Sequence, residues 1–188
     1  MTFSSAAPGE ADDGALVARW QAGDQRAATL LVERHASALT RFVASLGVRE
    51  RVDVEDVVQD TFVRAFGRLG GFRGDSSFRT WLCTIARNLV RDRGRSVTLR
   101  FARRQVELEE RHAVTAQDPL EGAVAEEAEE RMMAVVAELT PMQRQVFTLR
   151  VADGMSYKEI AVAVGSTEGA ARVHYHNAVR AIKERLHE

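Results

Sequence analysis

From Asp53 to Arg95 apolar residues recur at helical spacing twice, separated by one glycine-rich interruption, and a pair of helices accommodates that pattern. The first helix is predicted to open with Asp53 as N-cap and Glu55 and Asp56 in its first turn, where the helix dipole favours negative charge. Val54, Val58, Phe62, Ala65 and Leu69 form its inward face, which leaves Asp56, Gln59 and Asp60 on the remaining surface. Residues 70–77 (GGFRGDSS) form a polar, cationic, flexible loop with a Phe at each side. The second helix starts near Phe78 and buries Trp81, Ile85 and Leu89. Thr84, Arg87, Asn88 and Arg91 gather on its other side.

The rest of the chain points to the same class. Only three prolines occur, aromatics are few, and Ala, Leu, Val, Glu and Arg abound, which favours helix over sheet. The predicted fold is all-α, as two small helical domains. Residues 1–14 are small, polar and acidic and read as a disordered lead-in. Residues 15–104 make the first domain: a short helix over Ala15–Ala22, then a long one from Gln25 to about Leu46, capped by Asp24 and ended by Gly47. Its stripe includes Ala27, Leu30, Leu31, His35, Leu39, Phe42, Val43 and Leu46, so His35 is a packed histidine rather than a ligand. Residues 105–125 are an acidic linker, either a solvated spacer or a mimic of nucleic acid in a basic channel of a large partner. The second domain spans residues 126–188. Thr140-Pro141 starts one helix there, and Ser156 with Glu159 forms a capping box for the next, over Tyr157–Val164. Gly165 ends that helix and Ser166 or Thr167 caps a last one. Helix, short turn, helix is a helix-turn-helix pattern.

The net charge of −1 conceals a partition. Residues 15–104 hold 17 Lys/Arg against 9 Asp/Glu, whereas residues 105–130 hold 1 against 9. A polyanion partner is therefore compatible with the neutral total. Residues 91–104 carry six arginines in a continuation of the Trp81 helix, with a break predicted at Gly94. Arginines attract phosphates and release counterions, aromatics stack on unpaired bases, and Asn or Ser can read base edges. In the last helix, Ala171, Tyr175, Ala178, Ile182 and Leu186 face inward. Arg172, Val173, His176, Asn177 and Arg180 face outward with Gly169, so Arg172, His176 and Asn177 can reach base edges and Arg180 a phosphate.

Other chemistries find no support. Cys83 is the sole cysteine, so a cysteine zinc site and an internal disulfide are excluded; it reads as a small core residue. His174 and His176 point about 200° apart on a helix and cannot share one metal ion. His112 and His187 lack ligand partners at useful spacing. No phosphate-binding glycine loop or nucleophile elbow occurs, so neither an enzyme nor a cofactor is expected. No apolar run approaches the roughly 20 residues needed to cross a bilayer, and no signal peptide is evident, so a cytoplasmic protein is expected.

EDVVQDTFVRAF followed by FRGDSSFRTWLCTIARNLVRD resembles region 2 of a bacterial sigma factor, of the extracytoplasmic-function group in the sigma-70 family. LTPMQRQVFTLRVADGMSYKEIAVAVGSTEGAAR is similar to region 4, and the two stand in the family's order. The resemblance implies a dissociable subunit of RNA polymerase that recognises and melts promoters. It assigns Asp56, Gln59 and Asp60 to the clamp coiled coil of the polymerase's largest subunit. Phe72, Arg73, Asp75, Ser76, Ser77, Thr84, Arg87, Asn88 and Arg91 go to the -10 element, with Phe78 and Trp81 either core or DNA-contacting. Arg172, Val173, His176, Asn177 and Arg180 go to the -35 element, although two further basic residues often stand in the family where this chain has His174 and Asn177. It also implies control by an anti-sigma factor, often membrane-bound. Two other readings stay open: a stand-alone helix-turn-helix regulator that needs no polymerase, and an anti-sigma-binding decoy with weak DNA affinity.

Overall fold

The computed structural model describes residues 12–48, 51–104 and 134–186. Every regular element among them is helical: α1 (Asp13–Gln21), α2 (Gln25–Ser45), α3 (Arg51–Arg68), α4 (Phe78–Arg104), a segment at 134–138 (α5), α6 (Pro141–Val151), α7 (Tyr157–Val164) and α8 (Glu168–Leu186), with a 3-10 turn at Leu69–Gly71. The all-α expectation holds. Residues 1–11 of the N-terminal lead-in, the acidic segment 105–125, His112 and His187 lie outside the described residues, whereas the end of the lead-in is ordered, contrary to expectation: Asp12 caps α1 by accepting from the Ala15 amide, and the helix begins at Asp13.

Local chemistry sets most helix ends. Asp24 accepts a hydrogen bond from the Arg26 amide as N-cap of α2, and its other oxygen receives Arg19. Thr140 and Gln143 form a capping box at α6, and Ser156 and Glu159 form one at α7. Gly165 closes α7 with φ of 68°, a left-handed position that suits a residue without Cβ. Arg144 donates to the carbonyls of Val136, Ala137 and Leu139, satisfying the orphan end of α5 where a cation is electrostatically favoured.

Several boundaries and faces differ from the sequence expectation. Helix α3 begins at Arg51, so Asp53 lies inside its first turn rather than capping it. Val57 takes the fully buried position on α3 and Val58 is only half-buried. Helix α4 continues through Gly94 without a break. One glycine costs about 1 kcal/mol relative to Ala, too little to interrupt a long, otherwise propagating helix. Leu30 is exposed, because neighbours on a helix point 100° apart and Leu31 takes the inward direction. Leu186, in the last turn of α8, is also exposed.

In the N-terminal half, α2 packs against α1, α3 and α4. Leu31, Leu39, Phe42 and Val43 from α2 share one apolar cluster with Val54, Val57 and Phe62 from α3 and Phe78, Leu82 and Leu89 from α4. In the C-terminal half, α6, α7 and α8 pack on one another. The two halves also meet: α6 lies on α2 and α7 on α4. The same apolar cluster continues through Val146, Leu149, Met155, Ile160 and Ala163. A polar rim joins it, where Asp153 receives the Arg41 guanidinium at 2.6 Å and its backbone carbonyl accepts from Arg79 at 3.1 Å. The halves meet because apolar residues of α6 and α7 complete the cluster that α2 and α4 begin, so burial of apolar surface holds them together.

Candidate nucleic-acid interface

The loop between α3 and α4 closes over an aromatic cluster. Phe72 lies 5.0 Å from Trp81 and 5.8 Å, edge-on, from Phe78 (centroid distances). Phe78 is fully buried, whereas Phe72 and Trp81 are half-buried. Trp81 is thus not the core residue that helical spacing alone suggested. With Gly71, Phe72, Arg73, Gly74, Asp75 and Ser76 it lines an open pocket of about 290 Å³. An aromatic floor with an arginine and two short polar side chains at the rim suits an unstacked base and its phosphate.

Ser77 begins α4 by accepting from the Thr80 amide at 3.2 Å. Trp81, Thr84, Asn88 and Arg91 follow at intervals of three and four and share one strip with it. Thr84 spends its hydroxyl on the Thr80 carbonyl. Arg91 is exposed. Arg87 does not join the strip. Its guanidinium turns to the seam and lies against Gly165, where a Cβ would overlap it. One of its nitrogens is buried with no hydrogen bond among the described residues. Burial, then neighbouring Arg91, pushes its pKa down.

On α3, Asp56 and Gln59 are exposed together, one turn apart. Asp60 is engaged: its carboxylate receives Arg93 of α4 at 2.6 Å. Gln59 also borders an apolar groove of about 440 Å³ between α2 and α3, lined by Val32, Ala36, Phe62, Val63 and Phe66.

The pair α7–α8 is a helix-turn-helix. Ala171, Ala178 and Ile182 bury one side of α8, while Arg172, Val173, His176 and Arg180 stand exposed on the other, with Asn177 half-buried beside them. Arg172 is held by Glu168 at 2.5 Å and stacks its guanidinium over Tyr157 at 4.8 Å. Arg150 takes the opposing cation–π position at 4.9 Å. Sequence reasoning missed Tyr157, Arg150, Arg79, Arg41 and Asp153. Only the capping box next to Tyr157 marked that region.

Two buried groups behave as their surroundings require. Burial, then Asp153, pushes the Cys83 thiol up to about 12, so it remains a neutral core group. His35 is 3% exposed and its Nε2 lies 2.9 Å from Asp13, which also receives Arg34 at 2.8 Å. Burial alone would raise the Asp13 pKa. The hydrogen bonds from His35 and Arg34 outweigh it and hold the carboxyl below its usual value. A carboxylate depressed by folding stabilises above its unfolded pKa, about 3.9, and loses that contribution as pH falls through the lower folded value. Asp13→Asn should therefore lower the urea midpoint at pH 7, and the gap from wild type should shrink as pH is taken below about 4. A gap independent of pH would refute the assignment.

Family models settle which proteins this arrangement belongs with. Sigma-70 region 2 matches residues 31–105 and Sigma-70, region 4 matches residues 129–182. The chain belongs to the sigma-70 family. This sigma factor is 34% identical over 185 residues to the ECF RNA polymerase sigma-E factor of Escherichia coli K12, covering 93% of this chain and 94% of that one. It is 33% identical over 184 residues to the RNA polymerase sigma-H factor of Pseudomonas aeruginosa, covering 93% of each. The solved structure of CnrH in complex with the cytosolic domain of CnrY superposes with a TM-score of 0.64 at 31% identity, over 94% of this chain and 97% of that one. A Bartonella quintana sigma factor, RpoE, solved with the anti-sigma factor NepR, shares the fold at a TM-score of 0.64, over 84% of this chain and 95% of that one. The extracytoplasmic-function group is thereby shown. Such a factor binds core RNA polymerase and promoter DNA to start transcription; the polymerase does the chemistry, so this chain is not an enzyme. No helix among the described residues is long and apolar enough to cross a membrane.

Proposed function

We propose that this sigma factor divides its work by region. Residues 15–104 engage core polymerase and the -10 element, residues 126–188 read the -35 element, and residues 105–125 tether them. The observation that carries this reading is the pocket around half-buried Trp81, rimmed by Phe72, Arg73, Asp75 and Ser76. Flipping a base costs a few kcal/mol, which stacking and charge-assisted contacts there offset. Ser77, Thr84, Asn88 and Arg91 continue the path of the strand along α4. Arg172, Val173, His176, Asn177 and Arg180 enter the major groove, with Arg172 leaving Glu168 to reach a base. Asp56 and Gln59 dock on the clamp coiled coil of the polymerase's largest subunit, and Asp60 keeps the face rigid through Arg93.

The factor works in the cytoplasm, where promoters are. CnrH, 31% identical, was solved with the cytosolic domain of CnrY. That supports control of this chain by a protein partner of the anti-sigma kind.

The test is reconstitution with core RNA polymerase, wild type beside Asp56→Ala/Gln59→Ala, reading core binding and run-off transcripts from genomic fragments. The double variant should bind core at least about 30-fold more weakly, the scale of one interface hot spot. Its helical content should be unchanged, since both side chains are exposed. Equal binding by the variant would move the polymerase face elsewhere.

A further inference from the structure

The seam between the two halves covers part of the surface assigned to the -10 strand, and its chemistry resembles what that strand would offer. Helix α7 lies on α4. Arg87 is pressed against the carboxyl end of α7 at Gly165, where the helix dipole is negative. Ser77 and Glu159 face one cavity across the seam; burial alone would raise the Glu159 pKa, and hydrogen bonding from Ser156, then Ser77, holds it down. Arg41 and Arg79, from two different helices of the N-terminal half, both converge on Asp153. The Asp153 side chain is only 1% exposed, and its second carboxylate oxygen has no hydrogen bond among the described residues. It faces a polar cavity of about 260 Å³ that Asp13, His35, Ser77, Arg79 and Glu159 also line.

We propose that the turn between α6 and α7 is a self-latch, in which Asp153 clamps Arg41 and Arg79 and so holds the end of α7 over Arg87, a cation of the -10 face, where a DNA strand would lie. No second protein is needed for this closure. The closed form is poised to open, because it leaves an Arg87 nitrogen and an Asp153 oxygen unsatisfied. A phosphate offers Arg87 the bidentate partner that the end of α7 does not. The latch covers one promoter-reading surface and spares the other, since Arg172, Val173, His176 and Arg180 remain exposed in the closed form. For its effect on DNA the proposal rests on the -10 role proposed for Ser77 and on Arg87 turning to that strip once α7 lifts away; the closure itself needs neither.

The experiment uses the full chain. Small-angle scattering reads compaction without DNA, and fluorescence anisotropy reads binding of a mixed-sequence single strand of about twelve nucleotides, within the usual range of single-strand site sizes. Asp153→Asn should enlarge the radius of gyration and tighten binding of the single strand at least about threefold, since apparent affinity rises with the open fraction. Arg41→Gln releases the same carboxylate from the other side and should also expand the chain. It keeps the proposal testable if Asp153→Asn disturbs the C-terminal helices, which circular dichroism will show. Glu33→Gln, an exposed change on the same helix as Arg41, should do neither. Unchanged dimensions in both latch variants would overturn the latch. Expansion without tighter single-strand binding would overturn the occlusion. Run-off transcription by the wild-type holoenzyme reports the sigma reading separately from either outcome.

Discussion

Phe78→Ala is expected to lower stability by about 3–5 kcal/mol, the range for deleting a buried aromatic ring. Phe78 is buried at the start of α4, and its ring centroid lies 5.8 Å from Phe72, 5.9 Å from Trp81 and 5.3 Å from His35. One side chain therefore supports the loop, the second helix and the middle of α2. The loss is a cavity on which three elements converge, so collapse around it is limited. Urea denaturation followed by circular dichroism gives the number. Phe78→Leu, which keeps more of the volume, should cost less. The same substitution should loosen the pocket around Trp81, so open-complex formation should fall even at temperatures where the variant is folded. A cost of about 0.5 kcal/mol or less, typical of a surface change, would mean that Phe78 does not hold these three elements together.

Arg172→Ala and Arg180→Ala should weaken binding to a -35 duplex in different ways. A bidentate contact to a base is worth about 1–3 kcal/mol, so Arg172→Ala should reduce affinity roughly 5- to 150-fold for the preferred sequence and relax the choice of base at one position. Arg180→Ala should weaken all sequences alike and reduce the slope of log affinity against log salt by about one. Holoenzyme binding to promoter variants across a salt series separates the two. Because Glu168 holds Arg172 at 2.5 Å, Glu168→Gln should bind tighter than wild type at low salt. Uniform loss from Arg172→Ala across sequences would reassign that arginine to the backbone.

Much of the helical framework was readable along the chain because it rests on local chemistry. Asp24, Thr140, Ser156 and Gly165 act within one turn of themselves, and the structure finds each at the helix end expected. The inward faces of α2 and α8 follow from periodicity, with Leu30 and Leu186 as the exceptions. Where the expectation failed, a weak local preference met cooperative helix propagation, as at Gly94 in α4. The two stretches with family likeness carried the function, and both family models matched them.

The sequence by itself determined an all-helical chain, two regions in a given order, and an outward strip on the last helix, since each follows from spacing within one segment. Only the tertiary structure decided which side chains meet across segments. It turned Arg87 away from the Thr84–Asn88–Arg91 strip, tied Asp60 to Arg93, left Trp81 half-buried and set Asp153 between Arg41 and Arg79. Arg41 and Asp153 are 112 residues apart. No periodicity or cap spans that separation; packing of α6 on α2 and α7 on α4 creates the contact.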